Sequence, residues 1–598
     1  MEEKLFAEFA PIASETWIQT ITKDLKGLDY SKVRWQTEDG FIVEPFYSEA
    51  PVSLPDIRRA EKSWKITEFI PLSKESTQAN LEAKQAIQTG AEAIVFSLGS
   101  EIKKLEDLIR ETTLGIDTKL TPLLFTNLSP YLKSVTEWKS FGSDYTNIHF
   151  DIDPFVNILS SGDLGLPKSD LSKHLYSISL SLPKKSICVH SHYLRDAGAS
   201  ISQELSFALA WGHEYLQMLV SEGQKPKLAA ESIWFWMGIG SDYFSEIAKI
   251  RAFRILWAQI LEQYETGLGE STLPTVLSQT STWNYTAYDP YVNMLRGTTE
   301  AMSAVLGGSD FVAVLPFDTV EGATEFGKRI ARNSQLLLRH ESHLDKVHDP
   351  SSGSYYIENL THQLAETAWK SFQTWEAKGG FFIGIQTGEV QKEVLTSASQ
   401  KRDAVATKKQ TLLGSNQYPL ASERHPKLPS ILANGKEGKG EGGQYPALPI
   451  KRLSFDLDRL RSLTDARIAQ GKSVPKVFLL SIGDLTMRKA RAGFSANFIG
   501  CLGYEILEQS GFSDLKDGVK AAKDAKADLV VLCSSDEEYA TLIPEFGKLL
   551  KEQIPSAWPL VAGYPKDLIE VAAQNGISEF IHLKRNLIEF MEKAQARL

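Results

Sequence analysis

Between Trp64 and about Trp375 the chain alternates short apolar runs with longer helical stretches, and this alternation constrains its fold most. WKITEFIPL, EAIVFSL, PLLFTNL, NIHFDI, SICVHSHYL and KLAAESIWFWMGIG read as strands. Helical stretches lie between them, such as Ser200 to Gly223 and Tyr243 to Tyr264. Strands joined by crossover helices pair in parallel, and eight such units in about 300 residues suit a (β/α)8 barrel of TIM type. Periodicity alone leaves an open doubly wound sheet standing as the alternative.

The stretch Tyr285 to Phe317 sharpens the pattern. Met294, Leu295, Thr298, Met302 and Val305 recur at three- and four-residue spacing, which predicts one buried helix face. Gly307-Gly308 then stops the helix, and Phe311 to Leu315 reads as a fully buried strand. Helical patterning runs on from Leu360 to about Ala406. After it come Pro419, Pro426, Pro429 and NGKEGKGEGGQYPALP, on which no apolar face can be drawn, so exposed connecting chain is expected. This lysine- and glycine-rich run lacks the flanking strand and helix that a phosphate loop requires.

From about Val474 a second alternation begins. KVFLLSIG is a strand, Ala490 to Leu507 a helix, and ADLVVLCSS, WPLVAGYP and ISEFIHL are further strands, with helices 536–552 and 566–574 between them and one closing the chain. That order predicts an open flavodoxin-like sheet. Residues 1 to about 60 mix short helical signals with turns at Pro51 and Pro55 and scattered aromatics: Trp17, Trp35, Phe41 and Phe46. They read either as a surface arm or as an arm that wraps a partner subunit. The expected divisions are an arm over 1–60, a barrel with trailing helices over 61–406, a linker over 407–473 and the flavodoxin-like domain over 474–598.

Charge and cysteine usage exclude several functions. A net charge of −10 offers no basic field for nucleic acid or an anionic membrane. Cys188, Cys501 and Cys533, odd in number and far apart, fit a reducing cytoplasm and argue against a cysteine-based zinc site. The N-terminus carries acids early and reads as neither a secretory signal nor a transit peptide, and no apolar run is long enough to span a bilayer.

Specific strings add a resemblance. Tyr285 to Phe317, then RIARNSQLLLRHES, DPSSGSYYIENLTHQLAETAW and EAKGG within Arg329 to Gly380, closely resemble the adenosylcobalamin-dependent acyl-CoA mutases, methylmalonyl-CoA mutase above all, in content, order and spacing. The likeness covers the chain from about Trp64 to its end. It implies the barrel rather than the open sheet, and a cobalamin-binding type of domain at the C-terminus.

Against that resemblance the chain departs at the positions that carry the family's chemistry. Family members place Asp-x-His-x-x-Gly after the first strand of the cobalamin domain, where the histidine ligates cobalt and the aspartate orients it. Here Asp484 is followed by Leu485 and Thr486, then Arg488, Lys489 and Arg491, and no histidine lies between His425 and His582. The family's Ser-x-Leu is represented by Ser534-Ser535-Asp536 and its Gly-Gly pair by Gly563-Tyr564, whose side chain is expected to fill space the cofactor needs. In the barrel, the Tyr-His pair before the motif ending Glu-Ala-Gly corresponds to His192-Tyr193, inverted, ahead of Asp196-Ala197-Gly198. A one-residue slip would put His192 in the histidine's place; otherwise it is a satisfied barrel-end histidine. A tyrosine that helps cleave the Co–C bond is replaced by Phe69 in Ile66-Thr67-Glu68-Phe69, and His-Thr-Asn by Ala313-Val314-Leu315.

The resemblance therefore implies no catalytic, cofactor-binding or metal residue on this chain. It points to the family's small (beta) chains, which pair with a large (alpha) chain bearing adenosylcobalamin. The alternatives are an active mutase with an unusual ligand set and a stand-alone CoA- or metabolite-binding module.

Overall fold

The computed structural model describes residues 12–50, 59, 61–72, 76–99, 105–128, 147–182, 184–428 and 443–597. The readings placed on residues 1–11, on Pro51, Pro55 and Pro429, and on 434–442 of the glycine-rich run lie outside the described residues.

A two-stranded antiparallel hairpin, β1 (Trp35–Gln36) and β2 (Ile42–Val43), precedes the barrel. The barrel strands are β3 (Lys65–Leu72), β4 (Ala93–Leu98), β5 (Leu123–Thr126), β6 (Ile148–Phe150), β7 (Ile187–Val189), β8 (Ile233–Ile239), β9 (Val276–Thr280) and β10 (Phe311–Ala313). They form one parallel sheet in the order β6-β5-β4-β3-β10-β9-β8-β7. Its two ends meet where Ile152, just past β6, bridges Ile187. There the Cys188 N–H donates to the Ile152 carbonyl at 3.1 Å and the Ile152 N–H to Ser186 at 3.2 Å. The sheet is closed, so it is a barrel and presents no free edge.

Local chemistry starts and stops the elements around it. Asp153 N-caps Pro154–Ser161, accepting from the N–H groups of Phe155 and Val156, and Pro154 occupies the first turn, where no N–H is needed. Ser200 and Gln203 form a reciprocal capping box at the start of Ile201–Ser221.

Four expectations need correction. KLAAES is not strand: Pro226 opens the helix Pro226–Ser232, and β8 begins only at Ile233. Of the face expected in Pro290–Gly307 Val305 is buried, but Met294, Thr298 and Met302 are half-buried and Leu295 is 65% exposed; the buried side runs through Asn293, Gly297, Glu300, Ala301 and Ala304. The helix lies close to its neighbours, since a β-carbon at Gly297 would stand 3.0 Å from the Tyr285 hydroxyl, so small side chains face inward there. The stretch expected to be linker holds a helix, Phe455–Ala469, whose Leu457 and Leu460 are buried against the C-terminal domain. Finally, the helix Leu485–Gly500 ends well before Leu507, and Glu505–Glu508 is a strand.

With that strand counted, the C-terminal sheet is β11 (Lys476–Ser481), β12 (Glu505–Glu508), β13 (Leu529–Cys533), β14 (Trp558–Ala562) and β15 (Phe580–Ile581). All pairs are parallel and the order is β12-β11-β13-β14-β15, the flavodoxin-like arrangement.

The hairpin docks on the chain's own barrel. Glu38 at its tip pairs with Lys401 at 3.1 Å and Arg195 at 3.4 Å. Asp39 accepts from the Ser200 hydroxyl at 2.6 Å and the Ser202 N–H at 2.8 Å. Trp35, Ile42 and Phe46 each remain more than two-fifths exposed.

Candidate functional site

Alternation along the barrel strands turns every second side chain inward. Val95, Leu124, Cys188, Trp234, Leu277 and Ala313 pack there into an apolar plug separate from the outer core. Above the plug Phe69 stacks on Trp236, with centroids 5.5 Å apart and planes at 16°. What remains at the C-terminal ends of the strands, where TIM-barrel active sites lie, is a cavity of about 290 Å³. Asn127, Asp151, Asp153, His190, His192 and Gln279 contribute its polar lining. At the opposite end a cavity of about 220 Å³ is lined by Lys65, His149, Lys185 and Asp310.

The polar side of the mouth is tightly organised. Asp153 accepts from the Tyr215 hydroxyl at 2.5 Å and the His190 N–H at 3.1 Å as well as capping its helix, and burial raises its pKa to about 7. The His190 Nε2 contacts the Asp151 carboxylate. Burial alone would depress the His190 imidazole, but the Asp151 charge holds its pKa above the ordinary value. His192 stacks on Trp236 at 4.6 Å, and burial pushes its pKa well below the usual range. Its Nδ1 is buried without a hydrogen-bond partner, so it is not the satisfied histidine expected. Tyr193 sends its hydroxyl to the Leu448 carbonyl at 3.0 Å. Val314 and Leu315 border a neighbouring apolar pocket between Phe69 and Pro316. Sequence reasoning passed over Asp151 and His190 as site residues and counted Cys188 only against a cysteine-based zinc site; the signal available was a Cys-x-His pair at inward-facing spacing on one strand.

Open α/β sheets bind ligands where the strand order reverses, and in the C-terminal sheet that point falls between β11 and β13. Gly483 follows β11 with φ +79°, and a β-carbon on it would collide with Glu538, 2.1 Å away. Asp484 is a helix cap, accepting from the Met487 N–H at 2.8 Å, so Thr486 sits exposed in the first turn of Leu485–Gly500 and the expected loop is largely helix. Glu538 gathers the Ser534 hydroxyl at 2.5 Å, the Ser535 N–H at 3.2 Å and the Asp484 N–H at 3.2 Å. These donors, Ser534 foremost, hold its pKa down at about 2. Arg491 lies over the Tyr539 ring at 4.9 Å, pairs with Asp536 at 2.9 Å and donates to the Ala562 carbonyl at 3.1 Å. Arg491 abuts Gly563, while Tyr564 is 46% exposed with its ring tilted against His582 at 4.7 Å. Among the described residues no imidazole stands at the reversal point, and the groups there satisfy one another. They do not fit a corrin held through a histidine.

Comparison with known proteins agrees with the fold. Residues 175–438 match the family described as "Methylmalonyl-CoA mutase". The chain is 38% identical to the methylmalonyl-CoA mutase small subunit of Porphyromonas gingivalis over 98% of its own length and 97% of that protein's. It is 28% identical to the probable small subunit of Mycobacterium bovis over 94% and 92% of the two chains. Against the small subunit of Propionibacterium freudenreichii subsp. shermanii the figure is 33%, over 61% of this chain and 56% of that one. With a barrel, a flavodoxin-like sheet and a full-length match in hand, this chain belongs to the methylmalonyl-CoA mutase family.

Proposed function

We propose that this chain is the non-catalytic small subunit of a heterodimeric methylmalonyl-CoA mutase. Its large partner carries adenosylcobalamin and performs the radical interconversion of succinyl-CoA and methylmalonyl-CoA, as a step of cytoplasmic propionate metabolism. The observation that carries the reading is the reversal point of the C-terminal sheet. Asp484 is spent as a helix cap, and Glu538 and Arg491 take up the groups around Gly483 and Gly563.

The barrel supports the same reading. Sites for drug-sized ligands occupy roughly 300–1,000 Å³, and a coenzyme A thioester is larger than such a ligand. A mouth of about 290 Å³ above a plug holding Trp234 is small beside it, which supports the non-catalytic reading. No described helix is long and apolar enough to cross a membrane.

The test is expression of this chain alone, of the candidate large chain alone, and of both together, following mutase activity and the visible spectrum of retained corrin. The reading expects this chain alone to show neither, and the two chains to co-purify with both. Corrin retained by this chain alone, or turnover by it, overturns the proposal.

A further inference from the structure

The mouth of the barrel brings three metal-ligating side chains together from two strands. Asp151 follows β6 and His190 follows β7, both lining the mouth, while Cys188 lies within β7 on the same inward side, in the top of the plug. One ligand atom from each, a carboxylate oxygen, Sγ and a ring nitrogen, lies within 4.8 Å of the others, and all three residues are buried. A tetrahedral ion with bonds of about 2.0–2.3 Å spaces its ligand atoms roughly 3.3–3.8 Å apart, so small side-chain rotations suffice to close on one.

Charge and surroundings fit a dication. Carboxylate and thiolate together cancel two positive charges, which lets an ion sit beside the apolar plug of Trp234 and Leu124 without a net buried charge. Sulfur, nitrogen and oxygen donors in one set favour a borderline ion of the zinc class over magnesium or calcium. Asp153 and its partner Tyr215 support the wall behind the cluster, with Asp153 fixing the His190 backbone. Independently of the three ligands, His192 lines the same cavity with a buried Nδ1 that has no partner.

We propose that Asp151, Cys188 and His190 form a mononuclear site for a zinc-class divalent cation, with its fourth position facing the mouth cavity. Binding displaces the Cys188 thiol proton together with the proton that the His190 ring nitrogen shares with Asp151, both released to solvent. The site requires neither corrin nor coenzyme A.

Cobalt(II) is the probe, added to the chelator-treated full-length chain. The expected result is saturable one-to-one binding with a thiolate-to-cobalt charge-transfer band that Cys188→Ser abolishes. Zinc(II) is expected to raise the Tm of the wild type. His190→Gln, which keeps a hydrogen-bonding group for Asp151, should weaken zinc binding by at least the roughly 10–100-fold that an outer-shell loss costs, with near-UV circular dichroism checking its fold. Absence of saturable binding, a band that persists in Cys188→Ser, or unchanged zinc affinity in folded His190→Gln overturns the proposal.

Discussion

The Lys249 ammonium lies 2.6 Å from the Glu204 carboxylate, and neither side chain touches solvent. The pair joins helix Ile201–Ser221 to helix Tyr243–Glu262 behind β8, and Lys249 also reaches Glu246 at 2.6 Å, which in turn holds Arg195 at 2.9 Å. Breaking a buried pair by deleting one member strands the other charge and costs about 3–5 kcal/mol. Lys249→Met is therefore expected to destabilise the chain by about that amount in denaturant titration. Pairing it with Glu204→Gln should recover part of the loss.

Glu300 sets a pH dependence at the other side of the barrel. Burial raises its pKa to about 8, and its Oε1 accepts from the Asn284 amide at 2.8 Å. A carboxyl that holds its proton longer when folded supplies stability below its ordinary pKa, and that stability is lost as pH rises through the folded value. Stability should thus fall between about pH 4.5 and 8. Glu300→Gln keeps the acceptor and cannot ionise, so its Tm should gain on the wild type steadily across that window.

Glu538 gives the opposite sign. Its pKa sits near 2, so it contributes above the ordinary carboxylate value of 4.5 and ceases to as pH falls toward 2. Acid unfolding of the C-terminal domain, followed by circular dichroism, should begin at higher pH in Glu538→Ala.

Restoring one histidine should not restore a cobalamin site. Thr486 lies exposed in a capped helix while Arg491 packs on Gly563. Thr486→His in the isolated chain is expected to co-elute with no corrin absorbance on gel filtration; stoichiometric corrin would show that the imidazole alone was missing.

The barrel was legible because its strands are short apolar runs with helices between them, a pattern local in sequence. β12 was not: its ends are Glu505 and Glu508, both exposed at the sheet's edge, so Glu-Ile-Leu-Glu carries no buried-strand signature. The inner face of Pro290–Gly307 misled for a related reason, since close packing there selects glycine, alanine and hydrogen-bonded polar groups, and leaves Leu295 outside. The substituted cobalamin motif could be read residue by residue. The mouth cluster could not, because Asp151 and Cys188 are brought together only by closure of the barrel between β6 and β7.

The apolar plug has a further effect. Trp234, Leu124, Leu277 and Val95 stand between the histidine-bearing mouth and the lysine-lined hollow at the other end. Packed indole and aliphatic side chains thus occupy the axis between them, and among the described residues the two hollows are separate compartments at opposite ends of the barrel.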